Sequence, residues 1–351
     1  MRPLIIAVLC GTAILTPAPA FAMHISEGIL PFSWAALWYA VALPFVAWGL
    51  RDLRRRSETA PSFKPFVGLV GAAVFLISCM PIPVPTAGTC AHAAGTGLAA
   101  ILIGPGLTVV VASIALTLQA LFLAHGGLTT LGANIVSMGV AGAYAGYGVY
   151  AIGRRLGVPW AVAAFLAGLF SDWATYAMTS VELAAALHST GSFSAMLSLI
   201  LLAFVPTQIP LGILEGFLCA GALRFVRNRK PELLRAAAAG GASLSKVALP
   251  LVLAGLILIG PASRPGSAAS WPGVDEAVIE KVAEKAGRPA REPLINTDQG
   301  DLLLFAFLLA GIGGGFVAGY NFRTLFPPRR RSRSWQAASA SAESAKTKGT
   351  G

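Results

Sequence analysis

Apolar runs separated by short polar or glycine-containing segments recur along most of the 351-residue chain. Most of these runs are about 17 to 25 residues long, which is enough for a helix to cross a hydrocarbon core of about 30 Å. The third run is shorter, and we expect a half-helix or a tilted helix there, because the sidedness of all later loops requires one crossing. The pattern predicts membrane-spanning helices at residues 33–50, 65–81, 93–104, 107–124, 132–152, 158–178, 193–222, 247–261 and 301–320.

The composition agrees with a polytopic membrane protein of the all-α class. Hydrophobic residues make up 56% of the chain and charged residues 12%, against roughly a quarter charged in an ordinary soluble domain. The mean hydropathy is +0.72. The chain is therefore predicted to form a bundle of membrane helices.

The first 22 residues have the layout of a secretory signal. Arg2 precedes an apolar stretch, and a proline-containing segment leads to the small-x-small sequence AFA that ends at Ala22. An uncleaved first helix is the alternative. We predict cleavage after Ala22, which would place the mature amino terminus outside the cytoplasm and leave a free amine on Met23.

The basic residues support this orientation. Most of the 26 Lys and Arg residues then fall in segments predicted to be cytoplasmic, at 51–64, 153–157, 223–246 and after 321. This asymmetry follows the positive-inside rule. The formal charge of +11 therefore indicates orientation and contact with anionic membrane lipid, not nucleic-acid binding. The predicted location is the cell (inner) membrane, with a cytoplasmic carboxy terminus.

Two of the 4 histidines are predicted to meet at the outer membrane face. The first two helices form a hairpin, so its outer ends, at Met23-His24 and at His92, lie on the same side. A free amino terminus followed by His is a chelator: the Met23 amine, the His24 amide nitrogen and His24 Nδ1 lie in one plane. An imidazole from His92 would complete a square, which suits Ni2+ or Cu2+, with low-spin Co2+ also possible.

On the residues alone, a simpler interpretation stays open. His24 would then be an interfacial residue at the start of a helix. His92 would be a hydrogen-bonded polar group at the amino terminus of another helix. A more specific signal is needed to choose between the two interpretations.

The chain resembles the CbiM/NikM family in three blocks: MHISEGILP (residues 23–31), PIPVPTAGTCAHAAGTGLAAILIGP (81–105) and LTLQALFLAHGGLTTLGANIVSMGVAGAYAGYGVY (116–150). Members of this family are the substrate-specific membrane components of energy-coupling-factor cobalt and nickel importers. The resemblance covers roughly residues 23–230, and the MHI-x-EG start is unusually specific.

The resemblance implies a seven-helix core that binds Co2+ or Ni2+ as cargo. It assigns the ligand roles to Met23, through its terminal amine, to His24, through its amide and imidazole, and to His92. Because this chain has a presequence before the Met, these roles depend on processing at Ala22. Whether the metal is cobalt or nickel does not follow from the sequence.

Three further residues are candidates for the surroundings of the ligands. His125 lies in a Gly- and Thr-rich turn that also matches the family, and it could orient a ligand or be purely structural. Glu27 could accept an imidazole N–H or cap the first helix, and capping is the preferred prediction. Asn134 could donate a hydrogen bond near the site. The fourth histidine, His188, is expected on the exposed surface.

The carboxy-terminal third is predicted to be an added hairpin. Two spans joined by an external loop, 262–300, resemble the small CbiN/NikN-like accessory subunit of these importers, and a generic added hairpin is the alternative. The loop contains a short amphipathic stretch from 274 to 286. The predicted domains are a cleaved signal at 1–22, a metal-binding membrane core at 23–235, the accessory-like hairpin at 246–322 and a disordered basic cytoplasmic tail at 323–351.

The sequence contains no GxxxxGK[ST] phosphate-binding loop, so the chain is not itself an ATPase. The resemblance implies separate partners: a transmembrane coupling protein and cytoplasmic ATP-binding subunits. A secondary, gradient-driven transition-metal carrier is the alternative, although such carriers usually place acids or histidines along the membrane midplane. HExxH is absent and no catalytic grouping stands out, so we predict a transporter component with no catalytic residue and no resident cofactor.

Overall fold

The computed structural model describes residues 24–60, 62–79, 82–84, 89–188, 192–234, 276–297 and 301–327. The predicted signal peptide, Met23, the predicted span at 247–261 and the tail from residue 328 lie outside these residues.

Helices dominate the described part of the chain, as predicted for the all-α class. They are α1 (Phe32–Thr59), α2 (Phe63–Cys79), α3 (Thr96–Ile103), α4 (Pro105–Phe122), α5 (Leu131–Arg155), α6 (Trp160–Leu187), α7 (Phe193–Arg229), α8 (Glu276–Lys285) and α9 (Asp301–Leu325). The first half of α5 contains a π-helical stretch, Ile135–Gly142. A short antiparallel ribbon of β1 (Ile82–Val84) and β2 (Thr89–Ala91) lies between α2 and α3.

Six of the described helices are long and apolar enough to cross a membrane. They are α1, α4, α5, α6, α7 and the Phe305–Leu325 portion of α9. Helix α2 is also apolar but has 17 residues. The chain is therefore a multi-pass membrane protein built as a helical bundle, which confirms the predicted class.

The short third run forms a half-helix. Helix α3 has 8 residues, all of them buried, so it is roughly 12 Å long and covers less than half of a hydrocarbon core. It ends at Gly104, which has φ 91°, and Pro105 begins α4 directly afterwards. Residues 92–94, which precede α3 and are not helical, are buried in the bundle. Non-helical backbone within a membrane protein is tolerated where it is buried in this way.

Helices α6 and α7 approach each other closely because both carry glycine at the contact. A Cβ on Gly168 would lie 2.6 Å from the main-chain carbonyl oxygen of Glu215, and a Cβ on Gly216 would lie 2.7 Å from the Phe165 ring. Small residues permit this kind of backbone contact between membrane helices. The contact fixes the position of Glu215 inside the bundle.

The two ends of the bundle differ in their chemistry. Arg56, near the end of α1, forms an ion pair with Asp52 at 2.6 Å and donates a hydrogen bond to the Ile103 carbonyl oxygen at 3.3 Å. The carboxyl ends of α1 and α3 therefore meet at one end of the bundle, which we call the arginine end. His24 precedes α1 and lies at the opposite end, which we call the histidine end.

Candidate metal centre

Three histidines from separate parts of the chain gather at the histidine end. His24 precedes α1, His92 lies between β2 and α3, and His125 follows α4. The ring centres are 5.6 Å apart for His24 and His92, 5.1 Å for His24 and His125, and 4.6 Å for His92 and His125. All three are buried, with exposed fractions of 2%, 3% and 8%. His24 and His92 therefore lie close together at one end of the bundle, as the hairpin of the first two helices predicted.

His188 does not belong to this cluster. It follows α6, is half-buried, and its Nδ1 lies 2.8 Å from the Ala184 carbonyl oxygen. Its ring meets the edge of Phe193 at 5.8 Å. The side chain was predicted to lie on the exposed surface, whereas it is half-buried, because the last turn of α6 offers carbonyl oxygens to a ring N–H.

The protonation of His24 is fixed by Gln119 on α4. The amide nitrogen of Gln119 donates to Ser78 Oγ at 2.7 Å, so its oxygen, Oε1, faces His24 Nε2 at 3.0 Å as an acceptor. An acceptor at that position requires the hydrogen of His24 on Nε2. The lone pair of His24 is then on Nδ1, the nitrogen that an amino-terminal chelate would use.

His125 lies directly against His92. Their Nε2 atoms are 2.7 Å apart, which is a hydrogen-bond distance and requires that one ring donates and the other accepts. The contact restrains the rotation of the His92 ring. His125 is thus in a position to orient His92, as a residue in the surroundings of a ligand would be.

Burial keeps the imidazoles neutral. It lowers the pKa of His24 to about 4, with the hydrogen bond to Gln119 acting in the opposite direction. Burial and the nearby His24 lower the pKa of His92 to about 3. Burial, His92 and His24 hold the pKa of His125 well below its usual range. At neutral pH all three rings therefore carry a lone pair and no positive charge.

Asn134 and Thr130 hold the main chain next to His24. Asn134 Oδ1 accepts a hydrogen bond from the Ile25 N–H at 2.9 Å, and Asn134 Nδ2 donates to the Ile25 carbonyl oxygen at 3.2 Å. The Thr130 hydroxyl donates to the same carbonyl oxygen at 2.5 Å. Asn134 thus donates near the cluster, and its target is the backbone after His24.

Glu27 has a different role from the two that were predicted. Its carboxylate accepts a hydrogen bond from the Thr129 N–H at 3.1 Å. Helix α1 begins after Pro31 without a side-chain cap, so the predicted capping by Glu27 was wrong. Glu27 connects the amino-terminal segment to the turn after α4. Its carboxylate accepts the Thr129 N–H of that turn instead of an N–H in the first turn of α1.

The segment after α8 covers the amino-terminal segment. Helix α8 confirms the predicted amphipathic stretch, with Ile279 and Val282 fully buried at exposed fractions of 0% and 2%. Beyond it, the Arg288 guanidinium donates to the carbonyl oxygens of Gly28, Ile29 and Leu30 at 3.2, 2.9 and 3.3 Å. The polar main chain that follows His24 is therefore bonded to the carboxy-terminal third.

Arg291 adds a second connection to the same segment. Its N–H donates to the Glu27 carbonyl oxygen at 2.8 Å. Its side chain fills the space beside Gly28, where a Cβ would lie 2.6 Å from Arg291 Cγ and where φ is +79°. Glycine is therefore required at this turn both by its backbone conformation and by the contact with Arg291.

The cluster alone is an incomplete ligand set. Among the described residues, no group of three or more His, Cys, Asp or Glu side chains is arranged to hold a metal ion. A metal at the histidine end would therefore need main-chain nitrogens together with the imidazoles. Met23, which would supply the amine, lies outside the described residues.

Sequence reasoning missed Gln119 and Arg288. Gln119 is a single amide within the apolar α4, where it is fully buried. Burial of a polar side chain in a membrane helix costs free energy unless the side chain has a hydrogen-bond partner, so its position in an apolar run is the signal that could have found it. Arg288 is one of several charged residues in the segment that was predicted to be an external loop, and nothing in the sequence distinguishes it from its neighbours. Both partners are distant in sequence and become visible only in the fold.

The chain is similar in sequence to known transport proteins. The family model described as CbiM, cobalt uptake substrate-specific transmembrane region, matches residues 24–233. A cobalt transport protein CbiM of Geobacter sulfurreducens is 56% identical over 328 residues, covering 91% of this chain and 94% of that protein. A cobalt transport protein CbiM of Sorangium cellulosum is 61% identical over 212 residues, covering 60% of this chain and 94% of that protein.

A solved structure shares the fold. The crystal structure of a truncated transition metal transporter matches with a TM-score of 0.51 at 23% identity, covering 58% of this chain and 98% of that one. At this identity the match concerns the fold alone, whereas the family model and the relatives concern the sequence itself. On these grounds the chain belongs to the CbiM family.

Proposed function

We propose that this chain captures Co2+ or Ni2+ at the outer membrane face and delivers it inward as the substrate-specific component of an ATP-driven importer. The relatives are named cobalt transport proteins, which supports a transition metal as cargo. The observation that carries the proposal is the pairing of His24 with His92 at one end of the bundle, with His24 in the Nε2–H tautomer. That tautomer is the one that a chelate through Nδ1 requires.

The proposed ligands are the Met23 amine, the His24 amide nitrogen, His24 Nδ1 and a nitrogen of His92. With metal–nitrogen distances of about 2 Å, two imidazoles on adjacent corners of a square have ring centres roughly 4.5 Å apart. The rings of His24 and His92 are 5.6 Å apart, so they need to approach by only about 1 Å. A planar nitrogen set favours Ni2+ or low-spin Co2+ over Mg2+ or Ca2+.

His125, Asn134 and Gln119 are proposed to set the geometry of these ligands without binding the metal. His125 restrains His92, Gln119 orients His24, and Asn134 holds the backbone after His24. Such partners typically contribute 10–100-fold in metal affinity. Glu27 contributes more remotely, through the turn that carries His125.

The proposed orientation places the histidine end outside and the arginine end in the cytoplasm, in the inner membrane, following the positive-inside rule. Energy would come from a coupling protein and ATP-binding subunits at the arginine end. A gradient-driven carrier is less well supported, because His24, His92 and His125 all lie at one end of the bundle instead of along a path through it.

Uptake of radioactive cobalt tests the role as an importer component. Cells that produce this chain together with a coupling protein and ATP-binding subunits should accumulate the metal, and a Walker-type mutation in the ATP-binding subunit should abolish uptake. Full uptake by this chain alone that collapses with a protonophore would favour the gradient-driven carrier and refute the importer assignment.

We expect Gln119→Leu to weaken Ni2+ binding by about 10–100-fold. The leucine removes the acceptor of the His24 Nε2 hydrogen, so the ring is free to present the wrong nitrogen. A Ni2+ competition titration on the detergent-solubilised protein measures the change. Gln119→Glu keeps an acceptor oxygen at the same position and should bind within a few-fold of the wild type. Equal loss in both variants would mean that the tautomer is not what Gln119 controls.

We also propose that the carboxy-terminal hairpin acts as a built-in accessory subunit whose loop stabilises the metal-loaded amino terminus. Arg288→Ala should lower Ni2+ affinity by roughly tenfold, because three charge-assisted hydrogen bonds to residues 28–30 are lost. Lys285→Ala removes the same charge from an exposed position of α8 and serves as the control. If both variants bind like the wild type, the loop has no role in metal loading.

A further inference from the structure

The carboxylate of Glu215 lies inside the bundle and binds the main chain just after His92. Glu215 belongs to the membrane helix α7 and has an exposed fraction of 1%. Its Oε2 accepts a hydrogen bond from the Ala94 N–H at 3.0 Å, and its Oε1 accepts one from the Gly95 N–H at 2.9 Å. The partner of this carboxylate is therefore the non-helical segment that leads into α3, and not a side chain of a neighbouring helix.

This contact replaces a cap that α3 does not supply itself. The residue before α3 is Gly95, which has φ 70° and no side chain to accept the first N–H groups of the helix. The carboxylate of Glu215 instead accepts the N–H of this N-cap residue and that of Ala94 just before it, and its position also matches the positive end of the helix dipole.

The opposite end of α3 is held by the opposite charge. The guanidinium of Arg56 donates to the Ile103 carbonyl oxygen, where the dipole of α3 is negative. An isolated helix of 8 residues has marginal stability because nucleation is costly. Glu215 and Arg56 therefore bind the main chain at the two ends of α3.

His92 is separated from this anchor by a single residue. Ala93 and Ala94 are buried, with exposed fractions of 1% and 0%, so the chain between His92 and Gly95 has little space in which to shift. The imidazole of His92 must stand within reach of a metal held by His24, and metal geometry tolerates errors of only a few tenths of an ångström. The position of the Ala94 and Gly95 main chain thus controls whether the His92 imidazole can reach the metal.

We propose that Glu215 is a positioning residue for the metal centre, and that its carboxylate sets the place of His92 by binding the Ala94 and Gly95 N–H groups. This inference rests on the proposed function. Glu215 is not a ligand, because both of its oxygens are occupied by main-chain donors. Glu215, on α7, thus affects the metal site only through the position of His92.

The test is a double-mutant cycle between Glu215 and His92, read out by Ni2+ titration and by the visible absorption band of the bound metal. Glu215→Gln turns one acceptor oxygen into an NH2 group that opposes a main-chain N–H. We expect Ni2+ affinity to fall about 10–100-fold, with a band shifted toward that of the His92→Ala protein. In a His92→Ala background, Glu215→Gln should have no further effect on affinity.

Additive losses in the double variant would overturn the inference, because they would show that Glu215 acts on the fold in general. Asp172→Asn is the control, since it replaces another fully buried carboxylate, on α6, by an amide; it should leave affinity and the absorption band unchanged. Equal loss in Asp172→Asn would also overturn the inference.

A second variant covers the case in which Glu215→Gln does not fold. Glu215→Asp keeps the charge but withdraws the carboxylate by about 1.5 Å, so it should fold and bind Ni2+ more weakly than the wild type. Wild-type affinity in this variant would overturn the inference. If the wild-type protein itself binds no Ni2+ or Co2+, the proposed function fails instead, and the two failures are therefore distinguishable.

Discussion

A protein whose signal sequence cannot be removed is expected to lose tight Ni2+ and Co2+ binding. Replacing Ala20 and Ala22 by Leu destroys the small-x-small cleavage site. Met23 then keeps an amide nitrogen in place of an amine, and the chelate ring with the His24 amide cannot close. If a structural metal site gains about 10–16 kcal/mol from four ligands, one ligand contributes roughly 3–4 kcal/mol, so affinity should fall by at least about a hundredfold.

The matched control is Phe21→Leu, which changes the middle position of the AFA sequence and leaves both small residues in place. It should be processed and bind metal like the wild type. Amino-terminal sequencing establishes the processing state of each protein, and equilibrium dialysis with Ni2+ measures binding. Wild-type affinity in the uncleaved protein would refute the amine ligand and return His24 to the simpler role of an interfacial residue.

His92→Ala is expected to have an effect of similar size. The variant removes the fourth nitrogen of the proposed square and leaves water in its place. Affinity should fall by at least about a hundredfold, and the visible absorption of the Ni2+ complex should move to lower energy, because water is a weaker ligand than imidazole. His125→Ala should give a smaller loss of about 10–100-fold, since His125 contacts His92 and not the metal.

His188→Ala is the control for this series. His188 is the histidine that lies apart from the cluster, bonded to the last turn of α6, so its removal should change neither the affinity nor the spectrum. Retention of metal in the His92→Ala protein, or an equal loss in His188→Ala, would exclude His92 as a ligand.

The helices were largely predictable because hydropathy reports the part of a helix that lies in lipid. It does not report the part that extends into water. Helix α1 was predicted to end at residue 50, whereas it continues to Thr59 through a charged stretch in which Arg56 pairs with Asp52 four residues earlier. Helix α7 likewise continues to Arg229. The ribbon of β1 and β2 was not predicted, because strands of three residues leave no recognisable alternation.

The candidate site was predictable to the extent that it depends on topology. A hairpin of two apolar helices brings the segments of His24 and His92 to the same end, and the structure confirms their proximity. Gln119 and Glu215 were not predictable, because the sequence reveals that a buried polar residue needs a partner but not which partner it has. Their partners, His24 and the Ala94 N–H, are 95 and 121 residues away.

The contact between Arg288 and the main chain after His24 was also beyond the sequence. Charge asymmetry predicts that the loop lies outside. The carbonyl oxygens of residues 28–30 carry no sequence signal, since every residue has one. The amphipathic face of α8 was predictable from the spacing of Ile279 and Val282. Its packing partners, α6 and α7, could be identified only from the fold.

Amino-terminal sequencing and metal analysis of the same purified wild-type protein show whether processing creates a metal ligand. We expect a mature chain that begins at Met23-His24 and carries about one Ni2+ or Co2+ per chain. A chain that begins at Met1 and carries the same amount of metal would contradict this expectation.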